Sequence, residues 1–226
     1  MNISDIENFY PAFKLIRKTM WEYRNDFVSS LRHDIIFKGK RLPKFIKLGK
    51  QKKRTNEKYI NPDNLDDSGS ITDMDALYLY LLVKTINPKT VIEIGTWFGT
   101  SAVVMASAFD GKVMTCDFGD LYVKDNPCCD RIVCYQKEST GFLKKMIKNE
   151  IYSDFIFVDA TLRKEDFALL KKVSTGLIAI HDFGYFKGKS NVIGIRKAIH
   201  GKVYNPPIGS LTSVFVPNTI NNKQEL

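Results

Sequence analysis

From Ile71 onward, short apolar runs alternate with helical patterns in a regular beat, and this alternation constrains the fold more than any other feature of the chain. Residues 90–94, 112–116, 132–135, 155–158 and 177–180 read as strands. Helical patterns fall at 100–109, 140–149, 164–173 and 192–200. A further helix is capped by Thr72 or Asp73 and runs through Lys84, with Asn87-Pro88 to end it. Two last strands, 202–204 and 211–216, flank a turn at 205–209. Continuous apolar strands separated by helices build a largely parallel sheet covered on both faces, and the closing pair adds an antiparallel edge. The expected fold class is α/β, a doubly wound, mostly parallel seven-stranded sheet.

The first 70 residues are of another kind. Residues 1–60 are aromatic and basic, with helical spacing in Phe9, Phe13, Ile16 and Met20 and again in Phe27 and Leu31. The run NPDNLDDSGS at 61–70 reads as a loop. The division is therefore a helical, basic extension with its linker at 1–70 and the α/β domain at 71–226. So many aromatics are not left in water by a monomeric tail, so the extension is expected to cover one side of the sheet or to mediate a homodimer.

The net charge of +9 suggests nucleic acid until it is located. Ten Lys and Arg side chains lie between Lys38 and Lys58 against one acid, Glu57, and the rest of the chain is balanced. Charge thus belongs to one segment, which either binds phosphates or an anionic membrane surface or is a solvated face or mobile connector. No apolar run is long enough to cross a bilayer. The first ten residues carry Asp5 and Glu7 and no basic side chain, unlike a secretory leader. The four cysteines are too few and too clustered for a disulfide framework, and Cys128, Cys129 and Cys134 lack the paired spacing of a zinc site. A reduced, cytoplasmic protein is the expectation.

In an open α/β sheet, ligands bind outside the carboxyl ends of the strands. Those ends carry Glu93 with Gly95, Asp117, Glu138 with Ser139, Asp159, and His181 with Asp182. Acids at five strand ends exceed what helix capping requires and point to a site. The sharpest segment is VIEIGTWFGTSAVVMASAF at 91–109, where a buried strand runs into Gly95 and Gly99 opens a helix. Such glycines let a ligand approach the backbone and the helix N-terminus. Asp117, ending the next strand, is placed to accept ribose hydroxyls. The dinucleotide fingerprint is missing: counted from Gly95, its third and sixth positions are Trp97 and Thr100. An indole there obstructs a pyrophosphate, so a nucleoside without phosphates fits better, and S-adenosylmethionine is such a ligand.

The segment Glu93-Ile-Gly-Thr-Trp-Phe-Gly-Thr-Ser-Ala-Val resembles the first motif of class I S-adenosylmethionine-dependent methyltransferases. It is most similar to the branch holding catechol O-methyltransferase-like enzymes and bacterial small-molecule and sugar methyltransferases. Asp154-Phe-Ile-Phe-Val-Asp159-Ala and Leu177-Ile-Ala-Ile-His181-Asp182 are similar to that branch too. The resemblance spans about residues 75–216 and implies a Rossmann-like methyltransferase fold that methylates a hydroxyl of a sugar or other small molecule. It implies that Glu93 and the backbone at Gly95 hold the methionine portion, with Thr96, Gly99 and Ser101 nearby. By the same resemblance, Asp117 takes the ribose, Glu138 and Ser139 lie against adenine, and Asp159 faces the reaction centre. The chain departs from the branch after Asp159, where Ala160-Thr-Leu-Arg163 replaces the usual His or Lys. It departs again at the fifth strand, where His181-Asp182 stands for Asp-Asn.

Asp159 and Asp182 end neighbouring strands, with His181 adjacent. Two carboxylates plus water suit Mg²⁺ or another divalent ion, which would bind the acceptor hydroxyl and lower its pKa. His181 then serves as general base or as a ligand. The alternative is that Asp182 caps the following loop and His181 deprotonates the acceptor without metal. A nucleic-acid methyltransferase gripping phosphates through 38–58 is a second reading, weakened because Asn205-Pro-Pro-Ile does not end the fourth strand. A hydroxylase-like or non-catalytic relative on the same scaffold is the third.

Overall fold

The computed structural model describes residues 71, 73–97, 99–118, 129–205 and 210–218. The expected N-terminal helices, the basic segment at 38–58, the loop at 61–70 and Cys128 lie outside the described residues. In chain order the elements are α1 (Asp73–Ile86), β1 (Thr90–Ile94), α2 (Thr100–Ala108), β2 (Lys112–Asp117) and a 3₁₀ turn (Cys129–Arg131). They continue with β3 (Ile132–Gln136), α3 (Ser139–Lys148), β4 (Ser153–Val158), α4 (Lys164–Val173) and β5 (Ser174–Ile180). Then come α5 (Phe186–Ala198), β6 (Gly201–Tyr204) and β7 (Ser213–Pro217).

The sheet has seven strands in the order β3-β2-β1-β4-β5-β7-β6. Strands β1 to β5 are parallel, and β7 runs antiparallel between β5 and β6. The antiparallel addition expected from the sequence is present, with the later strand placed inward. Burial explains the order: all five residues of β7 are buried, so it needs neighbours on both sides, whereas β6 exposes Lys202 and takes the edge.

Side chains that alternate along each strand separate the core into two layers. Val91, Val113, Phe155, Phe157, Leu177 and Ala179 face α1 and α2. Ile92, Ile94, Ile156, Val158, Ile178 and Ile180 face Phe142, Leu143 and Met146 of α3, Leu170 of α4 and Ile195 of α5. At about 1.5–3 kcal/mol for each fully buried large apolar side chain, these layers fix the register of the sheet. Glu93 follows the same alternation and points to the α1–α2 side with Val91.

Helix α5 starts at Phe186, well before the apolar spacing that begins at Val192. Its first turn, Phe-Lys-Gly-Lys, has a loop-like composition. Gly188 explains why a helix forms there, since a Cβ on it would lie 2.3 Å from the Asp182 carbonyl oxygen. Without a side chain at that position, the first turn of α5 can lie directly on the end of β5.

Candidate active site

The chain reverses its direction of winding between β1 and β4, so the crevice of the sheet opens at their carboxyl ends. A continuous row of backbone hydrogen bonds aligns these ends. Lys137 N–H donates to Asp117 O, Gly95 and Thr96 N–H to Cys116 O, Asp159 N–H to Ile94 O, and His181 N–H to Val158 O. The residues singled out from the sequence therefore stand along one edge.

On the β1 side, Gly95 has φ 101° and Gly99 φ 79°, both in the left-handed region that favours glycine. Between them Trp97 N–H donates to Asp117 Oδ2 at 2.8 Å, tying the loop to the end of β2. Gly99 precedes α2 without any side-chain cap, and the Thr100 hydroxyl is buried with no hydrogen-bond partner among the described residues. An uncapped helix start beside an orphaned hydroxyl has the donors that an anionic or hydrogen-bonding group could use.

Glu93 lies under this loop and is fully buried. Ser101 Oγ donates to its Oε1 and Thr115 Oγ1 to its Oε2, each at 2.5 Å, and Thr96 Oγ1 lies 2.5 Å from Thr115 Oγ1. Burial pushes its carboxyl up to about 8; the two hydrogen bonds oppose that, and the charges of Asp159 and Asp117 add to it. Glu93 therefore organises Ser101, Thr115 and Thr96 from below, with both oxygens already engaged by protein.

At the end of β3, Glu138 Oε2 lies 2.5 Å from Arg163, and Ser139 Oγ donates to Asp166 Oδ2 at 2.7 Å. Asp166 is fully buried and also accepts from Thr140 Oγ1 at 2.6 Å and from Arg163 N–H at 2.8 Å. The structure thus joins Glu138 and Ser139 to the start of α4.

The β4–β5 side holds a charged cluster. His181, nearly buried, donates from Nδ1 to Asp159 Oδ1 at 2.9 Å and from Nε2 to Asp75 Oδ2 at 3.2 Å. Burial alone would lower the imidazole pKa, but the hydrogen bonds to Asp159 and Asp75 and their charges outweigh it and push it up to about 10. At neutral pH His181 is an imidazolium held by both nitrogens. The sequence suggests a general base or a metal ligand at His181; in the structure its two ring nitrogens are engaged by Asp159 and Asp75.

Lys187, from the first turn of α5, reaches the same carboxylate. Its Nζ lies 2.9 Å from Asp159 Oδ1, 3.2 Å from Asp159 O and 2.6 Å from Asp182 Oδ2. Burial lowers its pKa and the charge of Asp159 raises it; with the hydrogen bonds to Asp182 and Asp159 the balance lies above the ordinary lysine value. Ligand atoms of Asp159, His181 and Asp182 lie within 4.8 Å of one another. The three groups that the sequence suggests for a divalent ion thus lie together, and Lys187 contacts both carboxylates.

Two members of the cluster escaped the sequence reading. Asp75 reads as a first-turn acid that favours the helix dipole, yet it shares the core stripe of α1 with Leu79 and Leu82, and an acid on that stripe was the available signal. Lys187 lay in what read as a loop. A lysine in a helix's first turn opposes the dipole and implies a carboxylate partner.

Known proteins share this architecture. An O-methyltransferase from Bacillus cereus, solved in complex with S-adenosylhomocysteine, matches with a TM-score of 0.53 at 19% identity, over 66% of this chain and 83% of that one. The O-methyltransferase TomG from Streptomyces achromogenes, solved with S-adenosylmethionine, matches with a TM-score of 0.52 at 15% identity, over 66% of this chain and 81% of that one. At such identities the likeness shows the fold. The tapetum-specific methyltransferase 1 of Arabidopsis thaliana is 31% identical over 147 residues, 58% of this chain. The match spans 63% of that relative's length. Residues 50–191, more than half of the sequence, match the O-methyltransferase family, and the chain belongs to it.

Proposed function

We propose that this protein transfers a methyl group from S-adenosylmethionine to a hydroxyl of a small molecule, a sugar or a similar compound. The observation that carries the reading is Asp117, fixed at the end of β2 by the Trp97 N–H, one strand from the glycine loop. A carboxylate there can accept from ribose hydroxyls. The uncapped start of α2 and the Thr100 hydroxyl fit the amino-acid end of the ligand, with Gly95, Thr96, Gly99 and Ser101 forming the loop and Glu93 bracing it. Glu138 and Ser139 lie one strand further out, on the adenine side.

When bound, S-adenosylmethionine supplies an electrophilic methyl group on a sulfonium. Asp159 is the residue that meets the acceptor. Its Oδ1 is held by His181 and Lys187, and Oδ2 has no hydrogen-bond partner among the described residues. Oδ2 would take the proton of the acceptor hydroxyl. His181 keeps Asp159 in position. The carboxylates of Asp159 and Asp182 already carry an ammonium, an arrangement that does not fit a divalent ion, so no metal step belongs to this reading.

Calorimetry with S-adenosylhomocysteine is the test. Asp117→Ala is expected to weaken binding by about 10–150-fold, the value of a charge-assisted hydrogen bond to a bound hydroxyl. Affinity equal to wild type would remove the basis of the reading.

A further inference from the structure

Lys187 is delivered to the strand ends by a built device. Asp182 adopts φ 56°, in the left-handed region, and its carbonyl accepts from Tyr185 N–H at 2.8 Å to close the turn. Gly188 then lets the first turn of α5 rest on that carbonyl. Asn191, buried on the same helix, fixes the loop after β4 by accepting from Leu162 N–H at 3.1 Å and donating to Ala160 O at 2.8 Å. Helix α5 thus grips both strand ends and projects its lysine between Asp159 and Asp182.

We infer that the Lys187 ammonium is the resident cation of this site, holding the position between Asp159 and Asp182 that a divalent metal would take. Three observations support it. The ammonium contacts both carboxylates at hydrogen-bond distance, so a metal ion binding the same oxygens would stand within contact range of a like charge. Asp159 Oδ1 also accepts from His181, so the oxygen that faces the ammonium is already shared by two donors. Lysine at the start of a helix opposes the dipole, and the two carboxylates are what offset that cost.

An ammonium in this position supplies one positive charge beside the acceptor oxygen as its proton leaves for Asp159, while its three N–H groups stay on Asp159 Oδ1, Asp159 O and Asp182 Oδ2. Lys187 is partly exposed, so its charge reaches the open side of the crevice. That role in methyl transfer rests on the proposed function; the exclusion of metal does not.

The test is Mn²⁺ binding, read from the loss of the free-ion electron paramagnetic resonance signal, in wild type, Lys187→Met and Lys187→Arg. Lys187→Met is expected to bind Mn²⁺ more tightly than wild type by about tenfold or more, a scale typical of changes around metal ligands. Adding Asp182→Asn to Lys187→Met should abolish the gain, and Lys187→Arg should remain closed. Equal Mn²⁺ affinity in wild type and Lys187→Met overturns the proposal. Should Lys187→Met fail to fold, wild type and Asp182→Asn decide: Mn²⁺ binding by wild type that Asp182→Asn abolishes overturns it, and none in wild type supports it. S-adenosylhomocysteine calorimetry on the same samples reports separately on the methyltransferase reading.

Discussion

Asp75 Oδ2 lies 3.2 Å from His181 Nε2, joining the first turn of α1 to the end of β5. The other carboxylate oxygen accepts from Ser210 Oγ at 2.7 Å, Leu211 N–H at 2.9 Å and Thr212 Oγ1 at 2.9 Å. One fully buried acid therefore ties together α1, the end of β5 and the approach to β7. Asp75→Ala leaves an imidazolium and three donors without their acceptor. A loss of about 3–5 kcal/mol in urea unfolding is expected, as for one partner removed from a buried pair. Asp75→Asn keeps a carbonyl acceptor and should lose less. A loss below about 1 kcal/mol for Asp75→Ala would show that the cluster is not buried as described.

Glu93 makes stability depend on pH in a direction opposite to that of an ordinary salt-bridged acid. Its pKa is 4.5 when free and rises to about 8 in the folded protein. Between these values the folded form keeps a proton that the unfolded form has lost, so stability falls as pH rises across that window. His181 has the same sign later: its contribution is whole below 6.5 and is lost as pH rises through about 10. The interval from pH 4.5 to 6.5 thus isolates Glu93 from His181. Urea midpoints in that interval should decline for wild type and decline less for Glu93→Gln, which cannot titrate. Equal slopes for the two proteins would rule out Glu93 as the group that titrates.

Most of the fold was legible because its signals are local. Val91, Ile92 and Ile94, or Phe155 to Val158, can satisfy their side chains only inside a covered sheet, and Gly95 and Gly99 mark the turn wherever they occur. The acids of the carboxyl edge were legible for the same reason, since each ends an apolar run. What escaped depends on contacts distant in sequence. No spacing in the sequence shows that Asp75, 106 residues away, lies on the far nitrogen of His181. Lys187 reads as a loop lysine until Gly188 is seen to admit a helix beside Asp182. The bond from the Ser139 hydroxyl to Asp166 on α4 is likewise invisible in the sequence. Motif spacing places a residue at a strand end but does not say which of its atoms the protein itself already uses.

Strands β1 and β4 approach each other closely at the crevice. A Cβ on Gly95 would lie 3.0 Å from the carbonyl carbon and oxygen of Asp159 and 3.2 Å from Ala160 N, tighter than ordinary contact. The backbone at Gly95 also has φ 101°, a conformation that an L side chain strains to adopt. Gly95→Ala therefore has two costs, and together they should amount to about 1–3 kcal/mol. Relief of the contact must come from moving Asp159, because the Gly95 backbone is held to Cys116 O on its other side. Gly95 itself lies in the loop proposed to hold the amino-acid end of the ligand, so S-adenosylhomocysteine affinity should fall along with the melting temperature. Gly184→Ala is the control: it too lies in a loop at this edge, but an added Cβ meets nothing within 4 Å. That variant should stay within about 0.5 kcal/mol of wild type. If Gly95→Ala melts with wild-type stability and binds the ligand as tightly as Gly184→Ala does, the ends of β1 and β4 are not packed against each other at the site.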